Sequence, residues 1–244
     1  MESIRALVAS AEHESRLPDG EDERFSGYGL MGQAFSSGYL LAMRRFPVTS
    51  VGPGYTSVWV RRPSGSWTMY TSVPAAVSCP RYFGSALEST SVHQIDVAWL
   101  DDHRFTVDIA DDVGLHWEVS LAATPITRAM SSVASALPAK LWRNPAFLRV
   151  MGAVAGPVLQ AGKMGLLGRV PNGQGFRASP KRVWFISGST ATLRGEDLGS
   201  LKPLPVQTRL GDFWIPQRGI FMMGTAAFDT FDPAAHHALP GTPS

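Results

Sequence analysis

The sequence predicts a mainly β protein: an antiparallel up-and-down β-barrel with a central helical insertion. Three observations point there. Between residues 25 and 121 apolar side chains alternate with a period of two, interrupted at short intervals by Gly, Pro and Asp turns, and the alternation resumes at Val183. Only the segment 125–167 repeats at helical spacing instead, with Phe147, Met151, Val154, Val158 and Ala161 at steps of four, three, four and three. Six of the seven tryptophans fall on predicted strands, where indoles either fill a curled sheet or line a cavity within it.

In chain order, residues 1–24 read as a short helix over Ser3–Ser10 and a linker through Pro18-Asp19-Gly20. Residues 25–231 read as one β-barrel domain carrying the helical insertion 125–167, and 232–244 as a flexible tail. Phe25–Gln33, with Gly27, Gly29 and Gly32, suits a strand with a bulge or a close backbone approach. Strands follow at Tyr39–Phe46, Tyr55–Arg61 and Trp67–Thr71, the last two joined by Arg62-Pro63-Ser64-Gly65-Ser66. In the second of these, Tyr55, Ser57 and Trp59 share a face. His93–Leu100, Phe105–Ile109 and Leu115–Leu121 alternate in turn, separated by aspartate-rich turns. In the insertion, Thr124-Pro125 and Asn144-Pro145 are helix starts, each with a capping residue before a proline. Gly152, Gly156 and Gly162 point to close packing, most simply against the sheet. Strands resume at Val183–Ser187, Ala191–Arg194, Gly211–Ile215 and Gly219–Phe228.

The chain has 244 residues, of which 44% are hydrophobic, and it contains neither an uninterrupted apolar run of spanning length nor a basic-then-apolar leader. A cytoplasmic protein is expected, consistent with the lone Cys79, which cannot form an intramolecular disulfide. Net charge is +2, unevenly spread: no acidic residue occurs from Val119 to Gly195, whereas Arg128, Lys140, Arg143, Arg149, Lys163, Arg169, Arg177, Lys181, Arg182 and Arg194 all do. The N-terminal region and 96–118 are acidic. Complementarity within the chain, an anionic ligand and an acidic lipid surface are the readings this leaves open. Nucleic acid is not expected, because the cations are not interleaved with aromatics in any recognition motif.

Candidate chemistry is sparse. His93, His103 and His116 show no metal-ligand spacing, and neither a metal nor a cofactor is expected. No G-x-S-x-G elbow occurs, and an isolated cysteine such as Cys79 is more often packed than reactive. Arg81 adjoins Tyr82-Phe83, and Arg218 closes an apolar strand containing Trp214; either arginine suits a carboxylate or enolate.

The Gly27-Tyr28-Gly29 segment, the strands carrying Trp59 and Trp67, and Leu115-His116-Trp117-Glu118-Val119-Ser120-Leu121 resemble the lipocalin-like proteins of the carotenoid hydratase and tocopherol cyclase type. The resemblance covers about half the chain and implies a calycin-type β-barrel that holds a hydrophobic molecule, in some members with hydration or cyclisation by proton transfer. The insertion 125–167 has no counterpart there. A second resemblance, to acetoacetate decarboxylase-like β proteins of similar length, lacks their reactive lysine beside another cation.

The resulting expectation is a barrel cavity for a polyketide, terpenoid or fatty molecule with one anionic or oxygen-rich end, with cyclisation, hydration or isomerisation as the chemistry if there is any. Trp59, Trp117 and Trp214 would hold the apolar body and Arg81 and Arg218 the polar end, with Tyr70, Tyr82 and His116 as proton donors or acceptors. The alternative is a non-catalytic interaction module whose basic helices dock on an acidic protein or contact a membrane peripherally.

Overall fold

The structure, a computed structural model, describes residues 3–237. Helix α1 (Ile4–Glu14), capped by the Ser3 hydroxyl, precedes strands β1 (Glu23–Ala34), β2 (Leu40–Thr49), β3 (Tyr55–Arg61) and β4 (Trp67–Thr71). A short helix α2 (Pro80–Phe83) leads to β5 (Ser89–Val92), β6 (Asp96–Trp99), β7 (Arg104–Ile109) and β8 (Leu115–Ala122). Helices α3 (Pro125–Ala136) and α4 (Pro145–Leu159) follow, then β9 (Leu167–Arg169), β10 (Gly175–Leu193), β11 (Glu196–Asp197), β12 (Arg209–Leu210), β13 (Phe213–Trp214) and β14 (Ile220–Phe228). Both predicted helix starts are present: Thr124 and Thr127 form a reciprocal capping box, and Asn144 Oδ1 accepts from the amides of Ala146 and Phe147.

The sheet path runs β5-β4-β3-β2-β1-β14-β10-β8-β7-β6, antiparallel except for the parallel β4–β5 pair. The expected closed, wholly antiparallel barrel is therefore a half-barrel. Its end strands, β5 and β6, do not pair with each other, yet they are consecutive in sequence. The run His93–Leu100, expected to be one strand, contains the link between them, from Val92 to Asp96, which spans at most about 14 Å. The two edges thus lie close without hydrogen bonding, and the sheet curls around one core.

That inner core joins Val58, Val60 and Tyr70 of β3–β4 to Phe105, Val107 and Trp117 of β7–β8, with Leu30, Trp184 and Phe221 between them. Side chains fill the middle of this interior, where a ligand cavity was expected, and hollows remain at its ends: one of about 540 Å³ among Tyr28, Arg45, Val97 and Trp99 beside α1, and one of about 190 Å³ among Val60, Tyr70 and Leu193. A second core lies on the opposite face of β1–β4: Phe25, Ala42, Tyr55, Trp59 and Met69 are covered by Cys79, Tyr82, Phe83, Leu210 and Ile215 from connecting segments. Period-two alternation supplies both layers from the same strands.

Two bulges bend the sheet at one place. The β1–β2 register shifts between Ser26 and Tyr28, and the β10–β14 register between Pro180 and Arg182. Between these lies the pair Gly27–Gly224. A Cβ on Gly27 would stand 2.1 Å from the Arg45 carbonyl oxygen, and one on Gly224 2.3 Å from that of Ser179. The glycine-rich start of the sheet thus serves close backbone approach, as its composition indicated.

Helix α4 buries Leu148, Gly152, Ala155, Gly156 and Leu159, one step away from the stripe read in the sequence, and leaves Val154 and Val158 exposed. Its glycines meet the returning chain rather than the sheet, since a Cβ on Gly156 would lie 2.2 Å from the Gly162 carbonyl oxygen and one on Gly152 2.8 Å from that of Met164. Contact with the sheet runs instead through Ala155 and Leu159, which pack with Val183, Phe185 and Ile220. In the segment expected to be a tail, the His237 amide donates to the Asn172 carbonyl at 2.8 Å; residues 238–244 lie outside the described residues.

Candidate functional site

A cavity of about 110 Å³ lies in the second core, over the bend in the sheet. Its sheet side is formed by Gly27 and Met31 of β1, Arg44 and Phe46 of β2, Tyr55 and Trp59 of β3, and Met222–Ala226 of β14. Cys79, Tyr82, Phe83 and Phe213 cover it.

Arg44 reaches this cavity by strand parity. Leu41 and Met43 point into the inner core, so Ala42 and Arg44 point to the other face, and a cation occupies an inward position. Arg44 is 5% exposed. Its guanidinium donates to the carbonyls of Leu30, Met43 (2.9 Å) and Met31 (3.4 Å), two of them at the second bulge of β1. It also stands 4.7 Å over the Trp59 ring and 5.7 Å from that of Phe213. No carboxylate is within ion-pair distance of it among the described residues, and no carboxylate, histidine or lysine lines the cavity. Burial pushes its pKa down to about 10, which leaves it a cation at neutral pH.

Beside Arg44 runs a chain of neutral groups. Trp59 Nε1 donates to Ser57 Oγ at 3.1 Å, Ser57 Oγ donates to Cys79 Sγ at 3.2 Å, and Tyr55 Oη shares a hydrogen bond with the same sulfur at 3.3 Å. Burial raises the Cys79 thiol above its ordinary pKa, although Ser57, Tyr55 and Arg44 act the other way. Burial likewise raises Tyr55. Both groups therefore stand protonated at neutral pH.

The covering helix α2 is held from outside by Glu23, itself nearly buried. Arg81 binds this carboxylate through both arms (Nε 3.0 Å, Nη2 2.6 Å), Tyr82 Oη donates at 2.6 Å, and Gln174 Nε2 donates at 3.2 Å. Burial works to raise the Glu23 pKa, but these donors outweigh it and hold the carboxyl below its usual range. The Tyr82 ring stacks on Phe228 at 3.9 Å, fixing one wall of the cavity.

Of the residues singled out in the sequence, Trp59, Cys79 and Tyr82 meet at this cavity, Cys79 as the packed cysteine that was expected. Arg81 lies next to it, but its charge is spent on Glu23. Tyr70 and Trp117 are buried in the inner core, where Trp117 Nε1 donates to Ser189 Oγ at 2.7 Å. His116 is exposed, its Nδ1 2.5 Å from Asp108. Trp214 lies outside the cavity between Lys163 and Arg209, and Arg218 stacks 3.5 Å over Phe185. Sequence reasoning missed Arg44, Tyr55 and Phe213. The available signal for Arg44 was a charge in step with Leu40, Ala42 and Phe46 on a strand too apolar to be solvated on that face.

No protein-family model and no curated protein matches this sequence. Among solved structures, the chain is similar to an acetoacetate decarboxylase from Legionella pneumophila, with 10% identity, a TM-score of 0.42 and 95% of each chain covered.

Proposed function

We propose that the protein binds a small, largely apolar molecule carrying one anionic group, with Arg44 as the anchor for that group. The observation that carries this reading is a buried guanidinium, without a carboxylate partner, on the wall of an otherwise apolar cavity. Burying a cation without an anion costs several kcal/mol, and three carbonyls and two ring faces offset only part of that cost. A bound carboxylate or enolate completes the pair in a medium of low dielectric, where charge-assisted hydrogen bonds are strong.

Size narrows the ligand class. The cavity's 110 Å³ is below the ~150 Å³ of the engineered apolar cavity that takes benzene. A short aliphatic acid fits this scale better than the polyketides, terpenoids or fatty molecules expected from the sequence.

Binding is favoured over proton abstraction, because the lining residues offer donors and no carboxylate or imidazole base. If turnover occurs, Arg44 stabilises developing negative charge and Tyr55 or Cys79 donates a hydrogen bond to it.

A thermal-shift panel of butyrate, isobutyrate and valerate against their amides tests this reading. An acid that binds should raise the melting temperature by roughly 5–10 °C at about 100 times its dissociation constant, and its amide should not. Equal stabilisation by amides, or none by any acid, would contradict an anionic anchor.

A further inference from the structure

Helix α4 is apolar on both sides. Its buried side packs on β10 and β14, whereas its outer side presents Val150 (60% exposed), Val154 (52%) and Val158 (41%). Helix α3 adds Ile126 (47%) and Val133 (56%). A groove of about 340 Å³ runs between the helices, lined by Met130, Val133, Met151, Val154 and Val158, with Lys181 and Arg182 of β10 beneath. A surface helix normally turns a polar face to water, and this one does not.

Cations flank the apolar strip on both sides. Lys181 and Arg182 lie in the groove on one side of α4, while Arg149 and Lys163 line a hollow on the other. The complementarity read in the sequence is met only in part: Arg177 pairs with Asp22, and Arg143 reaches the Asp19 carbonyl. Arg128, Lys140, Arg149, Lys163, Lys181 and Arg182 form no ion pair among the described residues. Asp212, the carboxylate lining the outer hollow, is held by Arg209 and by the Arg169 amide. Trp142, which lines the groove, is 4% exposed, and its Nε1 has no acceptor.

From these observations we infer that the α3–α4 face is a docking surface for a bilayer containing anionic lipid. The valines and Ile126 enter the acyl boundary, and the flanking cations sit at the headgroups. No helix among the described residues is long and apolar enough to cross a membrane, so the contact is peripheral. An interfacial helix needs an apolar strip with Lys and Arg beside it, which is the pattern here. A bilayer is favoured over an acidic protein because the cations lie on both sides of one exposed apolar strip, which suits headgroups on either side of an inserted helix face. The Lys181 ammonium, which donates to the Ala134 carbonyl at 3.3 Å and stands 4.8 Å from the Trp142 ring, keeps further N–H donors for lipid oxygens.

Cosedimentation with phosphatidylcholine vesicles, with and without phosphatidylglycerol, tests the inference on the full chain. The native protein is expected to partition onto the anionic vesicles, and less so as salt is raised. Arg149→Glu/Lys181→Glu should lower the partition coefficient at least about tenfold, and Val150→Asp/Val154→Asp, at exposed positions, should abolish binding with an unchanged melting temperature. Equal binding to neutral vesicles, or full binding by the charge-reversed variant, would overturn the inference. So would indifference to vesicles, whether the protein instead bound polyglutamate, which would mark an acidic protein partner, or dimerised through this face.

Discussion

At the residue scale the site depends on two charges used in opposite ways. Glu23 is a nearly buried carboxylate with every need met, bound by Arg81, Tyr82 and Gln174. Because its folded pKa lies below the unfolded value, its contribution to stability is fully present above about pH 4.3 and is lost as pH falls through the folded pKa. Glu23→Gln should cost about 3 kcal/mol near neutral pH and flatten the acid limb of a melting-temperature profile below pH 4.3. An unaltered acid limb would show that the network does not hold α2 in place. Arg44, by contrast, is a buried charge without its anion. Replacing such a cation with an apolar residue of similar volume is often neutral or stabilising. Arg44→Met is therefore expected to change stability by less than about 2 kcal/mol in urea melts, since the carbonyls of Leu30 and Met31 lose a donor while the desolvation cost disappears.

At the element scale the cavity exists because β1 and β14 come together without side chains at Gly27–Gly224 and because bulges bend the sheet on either side of that pair. Gly27→Val drives a side chain into the Arg45 carbonyl, and a loss of about 3 kcal/mol or more is expected. Gly188, also in the sheet, meets nothing nearer than 3.7 Å, so Gly188→Ala should be neutral or stabilise by up to about 1 kcal/mol. Chemical denaturation of the two variants checks both values. The glycine-rich strand was legible in the sequence because glycines inside a strand mark a bulge or a close backbone approach, and β1 has both. The helix starts at Thr124 and Asn144 were legible because capping is local chemistry. The buried face of α4 was not, since between Leu148 and Leu159 it is made of Gly152, Ala155 and Gly156, which carry little hydrophobic signal, while larger valines face outward. Arg44 escaped for a related reason: strand parity separates two faces without saying that both are covered, and here both are.

For the whole molecule, strand order decides what can fold alone. β14 and β10 stand between β1 and β8, so the strands of 25–121 form two meanders that do not pair with each other directly. Limited proteolysis should release no stably folded fragment covering 25–121; a stable one would contradict the sheet order. The same order explains why a closed barrel was expected and a half-barrel is found. Alternation and turn spacing report hairpins, whereas closure depends on whether β5 and β6 pair, a nonlocal matter on which local pattern is silent. It also explains why the cavity lies outside the curl: the inner core has Trp117, Phe105 and Phe221 filling it, and the bend opens space on the other face.

The central claim, that Arg44 anchors an anionic ligand in this cavity, is tested most directly by calorimetric titration. The tightest acid from the thermal-shift panel is titrated into the native protein, Arg44→Met and Arg44→Lys, each confirmed folded by its melting curve. The account predicts binding to the native protein, at least about tenfold weaker binding to Arg44→Lys, which keeps the charge without the planar fork, and none measurable to Arg44→Met. Equal affinity for the native protein and a folded Arg44→Met would contradict it.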